Sequence, residues 1–444
     1  MDLNRTRAGH RTAFPSWNGC KRLNDTKFTA EFMCLQSDIF IPFTKTWCKI
    51  IPWILLTLGI FLTVTYRYAQ IPPRTIEVVG KFPPKFLERG ALQNGTVFDN
   101  PSIFELEPQD FIPNLKNPCW WKSTDKRQLR CLPYFYLIGM PKCGTTDLYR
   151  RLISHPSVIS SKKEPHWWTR LRYKDRHGVG VPFERYVNTF SLPSNVIRQA
   201  LVGKQRLNRY NLANQIITVD ASASTMWDNV GWERRPGNDP SKSEPDIIVA
   251  HRIRHIQPNA KFIAIFRDPV ERLYSDFLFF GKDGLSPDLF HKYVVQAIGI
   301  FKKCTEHLSL RSCAYDSKFN MDDLPVRLRV GLYHIYVKDW FSVFPKKQML
   351  FLQLDNYHQN LRGNIEKIFK FLNLLPLHED QMKIIIKQDI HNTRKESTVK
   401  LGDMWNKTRQ MLRQFYAPHN RELAQLLNND AYLSWDAQHP SIVE

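Results

Sequence analysis

The stretch Tyr134-Phe-Tyr-Leu-Ile-Gly-Met-Pro-Lys-Cys-Gly-Thr-Thr-Asp-Leu-Tyr149 decides how this chain is read. Its apolar run, Tyr134 to Ile138, predicts a buried strand. A tight loop from Gly139 to Gly144 follows. Beyond it, Leu148, Leu152 and Ile153 recur at helical spacing. Thr145 and Thr146 stand where that helix begins, among N–H groups without intrahelical acceptors and at the positive end of the helix dipole. Strand, lysine-bearing loop and helix N-terminus together make a cradle for an anion, most often a phosphate. The nucleoside-triphosphatase loop reads G-x-x-x-x-G-K and then Ser or Thr. Gly139 and Gly144 keep that spacing, but Thr145 stands at the lysine position and the loop's only lysine is Lys142. A Mg-nucleotide held in the usual way is not expected.

Outward from this unit, strands and helices alternate, which predicts an α/β fold with a mostly parallel sheet. Gln215–Val219 reads as a second strand, ending in Asp220-Ala-Ser-Ala-Ser224. Ala260–Phe266 reads as a third, ending in Arg267-Asp-Pro269. Pro269 suits a first helical turn, and Val270, Leu273, Phe277 and Phe280 continue with helical spacing. A helix from Pro325 to about Phe344, a strand at Met349–Leu354 and helices near 361–373, 379–388 and 404–428 complete the pattern. Ligands of open α/β sheets collect at the carboxyl ends of the strands. The 139–144 loop, Asp220 and Arg267 are expected to meet there.

The chain has 444 residues and a net charge of +21, from 63 basic and 42 acidic residues. That field favours an acidic partner: nucleic acid, acidic lipid or a polyanionic glycan. Ile50–Tyr66 is uncharged and apolar, at the lower edge of the length needed to span a membrane, with Trp47, Trp53, Tyr66 and Tyr68 at or near its ends. It begins too far in to be an ordinary cleaved signal. Flanking charges do not orient it: Lys45 and Lys49 precede, and Arg67, Arg74, Lys81 and Lys85 follow. The expected organisation is a cytosolic tail (1–49), a signal-anchor (50–66), a Pro-rich stem (67–118) and a globular domain (119–444). Cys119/Cys131 and Cys304/Cys313 are close pairs suited to disulfides in an oxidising lumen, and Cys143 is left as a free thiol. Asn94 and Asn406 head N-glycosylation sequons on the same side. No metal-ligand spacing is present, and none is expected to be needed.

Two segments then acquire a joint meaning. Arg267 at a strand end and Ser275 two turns along the next helix can hold a phosphate by charge-assisted hydrogen bonds. With the first cradle, they imply a ligand carrying two separate phosphates. Pro141-Lys-Cys-Gly-Thr-Thr146 and Phe266-Arg-Asp-Pro-Val-Glu-Arg-Leu-Tyr-Ser275 resemble the two cofactor signatures of the Golgi carbohydrate sulfotransferases. The resemblance spans about residues 133–436 and implies a P-loop-like sulfotransferase fold. Its implied donor is 3′-phosphoadenosine 5′-phosphosulfate (PAPS). Lys142, Cys143, Gly144, Thr145 and Thr146 would hold the 5′-phosphosulfate, and Arg267 and Ser275 the 3′-phosphate. Lys163-Glu-Pro-His-Trp-Trp-Thr-Arg170, Ala221–Asp228 and Val330-Gly-Leu-Tyr333 are similar to the branch of that family that 6-O-sulfates N-acetylgalactosamine 4-sulfate in chondroitin and dermatan sulfate.

In that reading Glu164 is the general base for a sugar hydroxyl, His166 orients it or contacts sugar, and Lys142 follows charge onto the leaving oxygen. Lys163, Trp167, Arg170 and Ser222 are expected at the acceptor. Arg172, Lys174, Arg176, Arg206, Arg209, Arg252 and Arg254 would add charge to an aromatic-faced groove. Lys400-Leu-Gly402 would close over the cofactor. The implied setting is a type II Golgi membrane protein with its catalytic domain in the lumen, no nucleic-acid partner, and a homodimer left open. Competing readings are a P-loop kinase, a Golgi glycan-binding protein without turnover, and a sulfotransferase acting on heparan sulfate.

Overall fold

The computed structural model describes residues 102–436 apart from 123–124, 174–179, 203–208, 282–283, 317–325, 392 and 395. The tail, the apolar run at 50–66, most of the stem and Asn94 lie outside the described residues. Among the described residues no helix is long and apolar enough to cross a membrane.

A five-stranded sheet forms the centre. In chain order its strands are β3 (Phe135–Gly139), β4 (Val158–Ile159), β5 (Ile217–Asp220), β6 (Lys261–Phe266) and β7 (Met349–Gln353), arranged β4-β5-β3-β6-β7. Every pairing is parallel. β3 and β5 are buried along their whole lengths, and β6 at all but its first residue. This is why β3, and β6 after Lys261, read as unbroken apolar runs: helices cover both faces of a parallel sheet, while β5 buries Thr218 and Asp220 with their side chains hydrogen-bonded. β3 is flanked by β5 on one side and β6 on the other, so the loops leaving all three carboxyl ends are neighbours.

Five helices matter for the site: α1 (Thr145–Leu152), α2 (Pro269–Phe280), α3 (Pro287–His307), α4 (Tyr333–Val343) and α5 (Asn406–Leu427). Asp268 caps α2 by accepting from the Val270 N–H at 2.8 Å, with Pro269 next in line. Trp340 of α4 is fully buried against Phe262 of β6, its indole N–H donating to the Met226 carbonyl at 3.0 Å. A large aromatic in the core with its polar atom satisfied fixes α4 to the sheet. The helix expected from Pro325 to Phe344 is shorter. Leu328–Gly331 is a separate 3-10 turn, α4 starts at Tyr333, and Pro325 lies outside the described residues. The Arg329 and Leu328 carbonyls accept from Tyr336 and Tyr416 hydroxyls, which stabilises the break.

A hairpin, β1 (Cys119–Lys122) with β2 (Asp125–Cys131), precedes the sheet and adds to the expected elements. Cys119 and Cys131 face each other across it and are bonded, as are Cys304 and Cys313, while Cys143 is free. The packed domain also begins earlier than expected. Ile103 is buried in the main core, and Asn117 bridges the Leu132 carbonyl and the Thr218 N–H at 2.9 Å each. Residues 102–118 therefore belong to the fold rather than the stem. Asn406 is the exposed first residue of α5.

Candidate active site

The anion loop bends from β3 into α1 through two left-handed residues, Lys142 (φ 65°) and Gly144 (φ 81°). A side chain at Gly144 would meet Leu354 at 2.7 Å, so the position admits glycine for space as well as for φ. The N–H groups of Thr145, Thr146 and Asp147 open α1 and by position lack intrahelical acceptors. Cys143 does not face the cradle. It is wholly buried, its own N–H donates to the Met140 carbonyl at 3.3 Å, and its sulfur lies 3.8 Å from the Tyr333 hydroxyl. Burial pushes its thiol up to about 11. This corrects the expectation that Cys143 binds cofactor. It is part of the floor, and Tyr333 ties that floor to the Arg267 carbonyl at 2.9 Å.

The Lys142 ammonium sits 3.5 Å above the centre of the Phe279 ring. Burial lowers its pKa to about 8; the Arg267 charge adds to this, and Asp276, Cys143 and Glu164 oppose it. This lysine is a poorly hydrated cation with no carboxylate of its own among the described residues.

Opposite the loop stands a turn in which Glu164 (φ 56°) and His166 (φ 50°) are both left-handed although neither is glycine. Such backbone persists only where the surroundings over-determine it. The segment after β5 does so. The Glu164 N–H donates to the Ala221 carbonyl at 3.2 Å, and the His166 N–H to the Ser222 hydroxyl at 3.0 Å. Ser222 donates in turn to buried Asp220 at 2.7 Å, and Tyr186 donates to the other Asp220 oxygen at 2.8 Å. The His166 Nδ1 is bonded to Ser224 Oγ at 2.7 Å, and Thr169 shares that hydroxyl at the same distance. Glu164 carries the paired Lys163 ammonium and has the His166 Nε2 3.8 Å away. The His166 imidazole and the Lys163 ammonium together outweigh burial and hold its carboxyl down to about 2, so it stays ionised.

Several expected acceptor contacts are corrected. Ser222 is buried with its hydroxyl committed on both sides. Trp167 is buried too, stacked on Tyr186, with its indole N–H on the Val181 carbonyl at 2.7 Å. Trp168 lies equally deep. Arg172 and Arg252 are internal, and Arg254 donates to the Val343 carbonyl. Lys174, Arg176, Arg206 and the side chain of Arg209 lie outside the described residues.

A cleft of about 500 Å³ joins the two halves, with Lys142, Thr145, Thr146, Glu164, His166 and Arg170 on its walls. Its aromatic faces are Trp227, Phe279 and Phe280, and Arg150, Arg327 and His391 also line it. The sequence marks Phe280 only by helical spacing and Trp227 only within Ala221–Asp228, and it marks none of the six as a site residue. Arg150 alone carried a site signal, four residues after Thr146 and so on the same helical face.

Arg267 and Ser275, both half-buried, follow β6 and lie outside this cleft. Among the described residues no side chain hydrogen-bonds or ion-pairs with the Arg267 guanidinium, which suits a second anionic group. The Tyr274 hydroxyl donates to the Gly402 carbonyl at 2.9 Å, laying the 400–402 segment against the helix that carries Ser275. One anion cradle with a lysine, a separate arginine–serine pair and an ionised acid facing the lysine are the parts a phosphosulfate donor and a hydroxyl acceptor require.

Comparison with known proteins agrees. A sulfotransferase domain model matches residues 133–417. Carbohydrate sulfotransferase 15 of Homo sapiens is 41% identical over 377 residues, covering 74% of this chain and 67% of that protein. Bifunctional heparan sulfate N-deacetylase/N-sulfotransferase 2 of Homo sapiens is 24% identical over 361 residues, covering 76% of this chain and 35% of that protein. Among solved structures, a sulfotransferase from Alicyclobacillus acidocaldarius superimposes with a TM-score of 0.41 at 19% identity, covering 69% of this chain and 99% of that one. By the domain match and the 41% relative, the chain belongs to the sulfotransferase family.

Proposed function

We propose that this protein transfers a sulfuryl group from PAPS to the 6-hydroxyl of N-acetylgalactosamine 4-sulfate in chondroitin or dermatan sulfate. One observation carries the reading: a half-buried lysine in the loop that leads into α1, the first residues of α1 and an ionised glutamate all line a single cleft. The likeness to carbohydrate sulfotransferase 15 supports a glycan acceptor.

PAPS, when bound, supplies a sulfuryl group joined to a phosphate leaving group. The α1 N–H groups, Thr145 and Thr146 would hold its 5′ end, and Arg267 and Ser275 its 3′-phosphate. Glu164 takes the proton of the acceptor hydroxyl as the new S–O bond forms. Lys142 neutralises charge gathering on the departing phosphate oxygen. His166, turned by Ser224, steadies Glu164, and Phe279 and Phe280 offer apolar faces to a sugar ring. The two disulfides suit an oxidising compartment, in keeping with a type II Golgi protein anchored by residues 50–66.

The full-length protein should be incubated with labelled PAPS and either chondroitin 4-sulfate, desulfated chondroitin or heparan sulfate, followed by disaccharide analysis. Label at C6 of 4-sulfated N-acetylgalactosamine is expected. Label on heparan sulfate alone would replace the acceptor, and label on no glycan would favour a binding protein without turnover.

A further inference from the structure

The cleft's arginines differ in what neutralises them. Arg170 donates to Asp228 at 2.8 Å, and that carboxylate is almost wholly buried. Arg327 donates to Asp276 at 2.8 Å, is stacked over Phe280, and is equally spoken for. Of the lysines, Lys163 is paired with Glu164 and Lys142 rests on Phe279. Arg150 is the exception. It is exposed, it lines the cleft, and among the described residues no carboxylate lies within ion-pair distance of it.

Its position is set by α1. Thr146 and Arg150 are four residues apart, so they share one face of the helix with a rise of about 6 Å between them. The helix is held rigidly. Asp147 binds Arg151 at 2.9 Å, the Tyr357 hydroxyl at 2.8 Å and the His391 N–H at 3.1 Å, which brings His391 to the same rim. An anion on Arg150 would therefore sit about one helical turn from the cradle that takes the donor.

We propose that Arg150 is a specificity-determining residue that binds a sulfate already present on the acceptor sugar, next to the hydroxyl being modified. This rests on the acceptor class proposed above. The substituents at C4 and C6 of a hexopyranose are 1,3-related, so a sulfate on one lies within a side chain's reach of a reaction at the other. A planar guanidinium without a competing carboxylate matches a sulfate's oxygens with paired N–H donors, whereas Arg170 and Arg327 would first have to leave buried acids. The acceptor's other anion is its uronate carboxylate, and the test separates the two.

The full-length protein and its Arg150→Ala and Arg150→Lys variants should be assayed with PAPS on chondroitin 4-sulfate, desulfated chondroitin and carboxyl-reduced chondroitin 4-sulfate. Affinity for 3′-phosphoadenosine 5′-phosphate (PAP) is measured alongside by calorimetry. The wild-type preference for the 4-sulfated over the desulfated chain, as a ratio of kcat/KM, should fall about tenfold or more in Arg150→Ala, with partial rescue in Arg150→Lys. The carboxyl-reduced sulfated chain should show the same dependence on Arg150. A ratio that stays within about threefold of wild type overturns the proposal. So does a dependence that vanishes on the carboxyl-reduced chain, which assigns Arg150 to the uronate, or a parallel loss of PAP affinity, which assigns it to the donor. A wild-type protein that sulfates none of the three chains overturns the acceptor class and this assignment together.

Discussion

His166 and Ser224 share a 2.7 Å hydrogen bond through the imidazole Nδ1, and that bond aims Nε2 at the Glu164 carboxylate 3.8 Å away. The acid thus depends for its neighbour on a hydroxyl contributed by the segment after β5, far away in sequence. Replacing Ser224 by Ala removes one hydrogen bond and frees the ring. The expected result is a kcat about five- to tenfold lower with PAP affinity unchanged. Steady-state kinetics on the glycan acceptor checks it, and an unaltered kcat would remove His166 orientation from the account.

If Lys142 holds the donor as proposed, donor binding should depend on pH. Burial disfavours its charged form, so in the free protein it is an ammonium below about pH 8 and neutral above. PAP affinity should be full at lower pH and decline as pH rises through about 8. Lys142→Arg keeps its charge throughout and should flatten the profile. Calorimetry across about pH 6.5–9.5 reads this directly, and a flat wild-type profile would contradict it.

Two glycines should respond in opposite directions to alanine. Gly144 is at φ 81° with Leu354 2.7 Å from the added carbon, so Gly144→Ala is expected to cost about 1–3 kcal/mol and to lower the unfolding temperature. Gly299, within α3, has nothing within 4 Å, and Gly299→Ala should stabilise by up to about 1 kcal/mol. Thermal unfolding of both variants tests the pair, and a stabilised Gly144→Ala would refute the loop geometry.

The Cys304–Cys313 bond joins the last turn of α3 to the short helix Leu310–Tyr315, and both cysteines are buried. Closing so short a loop restricts the unfolded chain. Replacing both cysteines by Ser should lower stability by about 2–3 kcal/mol, measured by denaturant unfolding. Equal midpoints for the two proteins would contradict this.

The strand, loop and helix at 135–152 and the β6–α2 unit are legible in the sequence because buried parallel strands are unbroken apolar runs that end in punctuating residues. The cleft's aromatic walls are not. Trp227, Phe279, Phe280, Arg327 and His391 come from four separate loops or helix ends, and only tertiary packing brings them together. Trp167 and Trp168 mislead for the converse reason: adjacency to Glu164 suggests a sugar face, yet both rings turn inward onto Tyr186. Ser222 follows a strand end, where a hydroxyl can meet a ligand but here serves the backbone of a strained turn. α3 has no counterpart among the expected elements although Ser286-Pro287 is a start signal, its Ser286 hydroxyl accepting from the Leu289 N–H at 3.1 Å.

The central claim is that sulfuryl transfer occurs in this cleft with Glu164 as the base. Single-turnover transfer of label from PAPS to chondroitin 4-sulfate, compared between the wild type and Glu164→Gln, tests it most directly. The account predicts a rate at least about 100-fold lower in the variant with PAP affinity retained. A Glu164→Gln variant that transfers label at the wild-type rate would contradict it.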